Sequence, residues 1–244
     1  MMVFMRSILI FFIAVSSSNV KAEAVVLCSL DRPSLSDADG SGYYWDLIRA
    51  VFKSEGMNLE YMHAPFARCL RELEFKRIDG AVAVFKTPER SMKFTYPKSR
   101  LGYSSYGLVY LKDSTFNTVE DITGQVGIIR GYDFSAWLPP KINLETVNDI
   151  PQAIKMLQRG RISFHADDLQ DVIFAFKKMD EQPQNIVSKT LFTNDLYLPF
   201  RKDERGQMLA DKFDAGLKKV YENGTLARLI EKYELVSSIV SDFE

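Results

Sequence analysis

Of 244 residues only two are cysteine, Cys28 and Cys69, and only two are histidine, His63 and His165. The histidines are far apart, no HExxH pair occurs and the cysteines do not cluster, so the sequence offers no metal centre and no cofactor motif. No Ser–His–Asp set follows from spacing either. Lys and Arg number 31 against 32 Asp and Glu, a formal net charge of −1. That leaves no basic excess for nucleic acid, and no ladder of aromatic and basic residues marks a single-strand groove. After residue 15 no apolar run approaches a membrane span. Internal repeats and low-complexity linkers are missing as well.

What remains is a globular composition, 46 % hydrophobic and 26 % charged. The first residues, "MMVFMRSILIFFIAVSSSNVKA", carry one arginine, an apolar run from Ile8 to Val15 and then small polar residues. This is the layout of a secretory signal, too short to span a bilayer, with cleavage expected after Ala22. The mature protein is then exported, to the periplasm if the source is a Gram-negative bacterium. In that oxidising compartment Cys28 and Cys69 either form one disulfide or are two separately buried thiols. Cys28 is not a lipid-attachment site, because Leu27 precedes it where a small residue is needed.

Strand and helix patterns alternate along the mature chain. "AVVLCSL" and "LEYMHA" read as strands, and "GAVAVF" as a fully apolar one. "YYWDLIRAVFKSEG" places Tyr44, Leu47, Ile48, Val51 and Phe52 at helical spacing before a Gly56 stop, and "PFARCLRELEFKR" puts Phe66, Leu70 and Leu73 on one face. The alternation restarts with "GQVGIIRG", "IPQAIKMLQRG", "RISFHA" and "DDLQDVIFAFKKM". The last part holds two amphipathic helices joined at Asn223-Gly224, with Thr225 as the expected N-cap. Such alternation argues for parallel α/β architecture in two lobes.

Three places combine a strand end with chemistry. Thr87-Pro88-Glu89-Arg90 follows the apolar strand and reads as N-cap, N1, N2 and N3 of a helix. An arginine there works against the helix dipole unless an anion meets it, and guanidinium binds carboxylate bidentately. A local pair with Glu89 is the alternative. Asp167 and Asp168 open another helix; one aspartate caps it and the neighbour is free to face the crevice at the strand's carboxyl end, where open α/β sheets bind ligands. Arg130-Gly131-Tyr132-Asp133 ends a third strand with the same logic, with Arg130 either at the site or a surface charge.

Together these segments resemble the family 3 extracellular solute-binding proteins, the group with the periplasmic polar amino-acid receptors of ABC importers. The resemblance runs through "GYYWDLIRAVFKSEGMNLEY", "PFARCLRELEFKRIDGAVAVFKTPERSMKFTYP", "VEDITGQVGIIRGYDF", "AIKMLQRGRISFHADD" and "LYLPFRKDERGQMLADKFDAGLKKVYENGTLARLIEKY". It implies a two-lobe periplasmic-binding-protein fold of type II, each lobe a mostly parallel sheet flanked by helices, joined by two hinge strands. Lobe 1 would hold 23–110 and 198–244 and lobe 2 would hold 111–197, with hinges near 107–112 and 195–201. It also implies that Arg90 takes a ligand's carboxylate, that Asp168 takes its ammonium and that Phe66 packs on it, with Tyr132 and Asp133 near the carboxylate. The family's hydroxyl-rich stretch before the arginine is "AVAVFK" here. Lys86 either replaces those hydroxyls or is a solvated loop residue, and Arg68 is either a further cation at the cleft or the exposed face of its helix.

The expected function is capture of a small polar, carboxylate-bearing or amino-acid-like solute, by a monomer without cofactor, for an ABC permease or a membrane sensor. The alternative is a dehydratase-like enzyme on the same scaffold, which would need Asp168 or His165 as a positioned acid or base.

Overall fold

The computed structural model describes residues 24–114, 116–179, 184–233 and 235; the expected signal segment, 1–22, lies outside them. The first half runs β1 (Ala24–Ser29), α1 (Tyr43–Ser54), β2 (Asn58–His63), α2 (Phe66–Glu74), β3 (Gly80–Ala81) and α3 (Pro88–Lys93). Next come β4 (Gly102–Leu111), β5 (Gln125–Ile129), β6 (Asn143–Val147), α4 (Ile150–Gln158), β7 (Phe164–Asp168), α5 (Leu169–Lys178) and β8 (Ile186–Leu196). The chain ends in α6 (Glu204–Glu222) and α7 (Thr225–Lys232).

Two sheets organise these elements. The first has the order β2-β1-β3 and is parallel; the second has the order β6-β5-β7-β4-β8. In the second, β5 runs parallel to both its neighbours while β4 runs antiparallel to β7 and β8, so the sheet is mixed.

The helical periods read from the sequence are the buried faces. Tyr44, Leu47, Ile48, Val51 and Phe52 of α1 all lie in the core, beside Phe200 and Phe213. Each such side chain contributes about 1.5–3 kcal/mol by leaving water. On α2 the buried set is Phe66, Cys69 and Leu73, with Leu70 only partly covered. Cys69 is disulfide-bonded to Cys28 of β1 across a Cα–Cα distance of 5.4 Å, which ties α2 to the first sheet.

Three expectations shift. "GAVAVF" pairs as a strand only at Gly80–Ala81, because the segment 197–200 then takes over its backbone: Ala81 N donates to Pro199 O at 3.1 Å and Val84 N to Tyr197 O at 2.9 Å. Thr225 is the first helical residue of α7 and not its cap; the boundary residue is Gly224, at φ 73°. Finally, β4 belongs to the second sheet from Gly102 onward, since its ladder partners are β7 and β8. The chain therefore leaves the first sheet before residue 102 and returns at 196–200, where Thr95 and Phe200 exchange backbone bonds of 2.9 and 2.7 Å. Of residues 107–112, expected to form one hinge, 107–111 belong to β4 and pair with β8.

Candidate functional site

The series Thr87-Pro88-Glu89-Arg90 folds as its chemistry dictates. Thr87 caps α3, its Oγ1 accepting from Arg90 N at 3.1 Å, and Pro88 holds the first helical position. This anchors the Arg90 backbone and sends its side chain over the Phe66 ring, 5.6 Å from the centroid. Nη1 donates to Phe85 O at 3.4 Å, and Nη2 reaches across to Gly131 O at 3.1 Å. No carboxylate lies within ion-pair distance of Arg90 among the described residues. Glu89, its alternative local partner, is spent on Lys93 at 3.3 Å.

Gly131 makes this approach possible. It sits at φ 90°, a conformation that favours glycine, and a Cβ there would lie 3.0 Å from Ala67 Cβ of α2. The start of α2 and the turn after β5 meet at that point.

Arg90, Phe66, Phe85, Tyr106, Tyr132 and Asp133 line one crevice with Arg32 and Ala83. Its walls are aromatic. Phe66 and Tyr132 meet edge-on across it at 5.2 Å, and Phe85 and Tyr106 at 4.6 Å. Burial pushes the phenols of Tyr106 and Tyr132 up, so both remain neutral hydrogen-bond donors. Ala83 carries a φ of 59°, left-handed for a residue with a side chain, and so places backbone strain on the crevice wall. Asp133 accepts from Ser135 Oγ at 2.7 Å and Ser135 N at 3.0 Å. Those bonds, with Arg90 nearby, hold its carboxyl below the usual carboxylate range.

Asp168 departs from expectation. It is the N-cap of α5, accepting from Gln170 N at 2.9 Å, while Asp167 is turned to His165 Nε2 at 2.8 Å. Because β7 extends through both aspartates, their side chains take opposite faces, and His165 two residues back selects Asp167. Asp168 is not free: its Oδ1 also accepts from Ser104 Oγ at 2.5 Å, and its Oδ2 from Arg32 Nη2 at 2.6 Å. Arg32 Nε donates to both oxygens of Asp171, at 2.9 and 2.7 Å. The three side chains are at most 5 % exposed, and they join the loop after β1 to the start of α5. Burial raises the Asp171 carboxyl, with Arg32 opposing the shift.

Arg32 was not read from the sequence, although Asp31-Arg32-Pro33 follows β1 as Arg130 follows β5. Of the cations that were, only Arg90 reaches the crevice. Arg130 is exposed beside it. Lys86 is exposed as well, lying 5.7 Å from the rings of both Tyr96 and Tyr197. Arg68 points outward, 60 % exposed, toward Glu72 at 4.0 Å, because the buried stripe of α2 falls on Phe66, Cys69 and Leu73. His165 is fully buried between Gly127 O and Asp167, sealed from the crevice.

Comparison with known proteins bears on this geometry. The profile of the bacterial extracellular solute-binding proteins, family 3, matches residues 33–236. The chain belongs to this family. A relative from Bacillus subtilis, the probable amino-acid-binding protein YxeM, is 26 % identical over 203 residues, 79 % of this chain and 75 % of its own. The arginine-binding periplasmic protein of Mannheimia haemolytica is 24 % identical over 198 residues, 79 % of this chain and 81 % of its own. Among solved structures, an ABC uptake substrate-binding protein from Streptococcus pneumoniae with bound histidine superposes with a TM-score of 0.76. It is 19 % identical, over 89 % of this chain and 94 % of that one, a likeness of fold. The protein is thus a solute-binding protein of family 3 with the two-lobe, type II architecture.

Proposed function

We propose that this protein captures a small carboxylate-bearing solute of amino-acid size in the crevice between its lobes, with Arg90 as the anion anchor. The observation that carries this reading is a guanidinium that spans the crevice with no carboxylate partner among the described residues, its bonds going only to the Phe85 and Gly131 carbonyls. A desolvated bidentate pair with a ligand carboxylate would complete it. Phe66 and Tyr132 would pack on the ligand body, and the Tyr106 and Tyr132 hydroxyls would supply donors. The relatives named for amino acids support a solute of this size.

The lobes would be 24–101 with 197–233 on one side and 102–196 on the other. They close about the crossings near 95–102 and 196–200, and capture is for an ABC permease or a membrane sensor. The leader reading places the mature monomer in the periplasm. Catalysis gains nothing from the geometry, since His165 is sealed and Asp168 is fully paired. The test is mass spectrometry of the small molecule that co-purifies with the exported protein, followed by calorimetry of that molecule with the wild type and with Arg90→Lys. A carboxylate ligand whose binding weakens in Arg90→Lys is the expected result. A ligand without an acidic group, or affinity indifferent to Arg90, overturns the reading.

A further inference from the structure

The crevice contains two guanidinium groups in different states. Arg90 is bonded only to neutral carbonyls, while Arg32 is gripped by two acids of the opposite lobe. All the oxygens of those acids are engaged: both of Asp171 by Arg32 Nε, Oδ2 of Asp168 by Arg32 Nη2, and Oδ1 of Asp168 by Ser104 and Gln170. Arg32 Nη1 makes no bond to the protein among the described residues, and Arg32 is part of the crevice lining. The guanidinium also rests against the Tyr44 ring, 5.5 Å from its centroid, which leaves the Nη1 edge as its open side.

At the Arg32 end of this crevice an amino group meets no open carboxylate. Asp168 and Asp171 are covered by Arg32; Asp133, the acid of the lining, lies beside Arg90 at the other end, where Ser135 holds its Oδ1 alone. Displacing Arg32 would strand a buried guanidinium, which is more costly than the single exchange of cations suggests. A carboxylate entering the same crevice meets the Arg90 fork, the Nη1 edge of Arg32, two phenol donors and aromatic walls.

We infer that Arg32 is a specificity-determining residue which fills, from within the chain, the place where a ligand's ammonium would pair, so that the solute is a carboxylate lacking an α-amino group and carrying an apolar or aromatic body. This rests on the reading of the crevice as a carboxylate site and names the chemical class that the site takes. It follows that each amino acid should bind worse than the acid of the same skeleton without its nitrogen, because an amino group at the Arg32 end would be desolvated against a guanidinium in place of an acid.

The experiment uses matched pairs on the mature protein, unfolded and refolded to strip any resident solute: 3-phenylpropanoate with L-phenylalanine, 4-methylpentanoate with L-leucine, and glutarate with L-glutamate. Thermal shift and calorimetry read the binding. The expected result is saturable binding of at least one desamino acid, at least tenfold tighter than its amino partner. In Arg32→Met, which frees Asp168 while keeping the packing volume, that preference should shrink at least tenfold or reverse. Should Arg32→Met not fold, Arg32→Lys keeps the charge and should keep the direction of preference. If amino acids bind as tightly as their partners, or if Arg32→Met folds with its preference unchanged, the inference is overturned and the carboxylate site stands. If no acid of any pair binds the wild type, both are overturned.

Discussion

Arg32 follows β1 and Arg90 follows β3 of the first sheet, and both reach residues at the ends of strands of the second, yet their surroundings differ in almost every respect. Arg32 is 5 % exposed, with its charge matched by Asp168 at the end of β7 and Asp171 of α5, and with its guanidinium face on the Tyr44 ring. Arg90 is half-exposed, stacked on Phe66, and answered from the far lobe by a backbone carbonyl alone. The difference lies in what the opposite strand ends with. β7 ends in Asp167 and Asp168, a carboxylate fixed before any ligand arrives. β5 ends in Arg130, Gly131 and Tyr132, which offers a carbonyl and room. A site already satisfied serves structure and selection; one left unsatisfied serves capture.

The largest expected effect comes from breaking the satisfied side. Arg32→Ala leaves Asp168 and Asp171 buried without their cation and should cost about 3–5 kcal/mol of stability in urea unfolding. A loss under about 1 kcal/mol would mean that the acids find water or protons cheaply, and the contrast between the two arginines would collapse.

On the other side, Arg90→Ala should cost about 2–5 kcal/mol of ligand affinity by calorimetry, while unfolding midpoints move little. Arg90→Lys should weaken binding too, because an ammonium cannot reproduce the fork. Full affinity, or a protein that no longer folds, would make Arg90 a structural residue like Arg32.

The ring under Arg90 depends on the disulfide that fastens α2 to β1. Replacing Cys28 and Cys69 together by Ala should lower stability by about 2–4 kcal/mol, and thiol counting on denatured, unreduced wild type should find none free. An unchanged unfolding midpoint would show that packing of Phe66 and Leu73 alone holds the helix.

The smallest effect concerns Asp133, whose carboxyl Ser135 and Arg90 hold below its ordinary range. A depressed folded value contributes stability that is present above about pH 4, the unfolded carboxylate value, and is lost as pH falls through the lower folded one. Asp133→Asn should therefore be less stable than wild type at pH 6, with the difference shrinking as pH falls below about 4, read from paired thermal melts.

Some of this site could be read along the chain and some could not. The cap at Thr87, the proline at the next position and the arginine at the third helical one depend on neighbours in sequence, and they fold as read. The apolar stripes of α1 and α4 are equally local. Asp168 looked free because only one cap was needed, but the choice of cap belonged to His165, whose ring takes Asp167. Arg68 and Arg130 looked like site cations because a strand end or helix start lay nearby; which way each points depended on the packing of α2 and on the turn at Gly131. Arg32 could be found only by asking what lies opposite Asp168, a residue 136 positions away.

The sequence alone therefore determined the alternation of strands and helices, the caps and buried stripes of those helices, and the family to which their order belongs. Those features arise from hydrophobic period and backbone chemistry over a few residues. Tertiary structure decided which charges are already paired and which remain open. It did so by bringing the loop after β1 against α5 and the start of α3 against Gly131. Ion pairing in a dry crevice acts over a few ångströms of space and takes no account of distance along the chain.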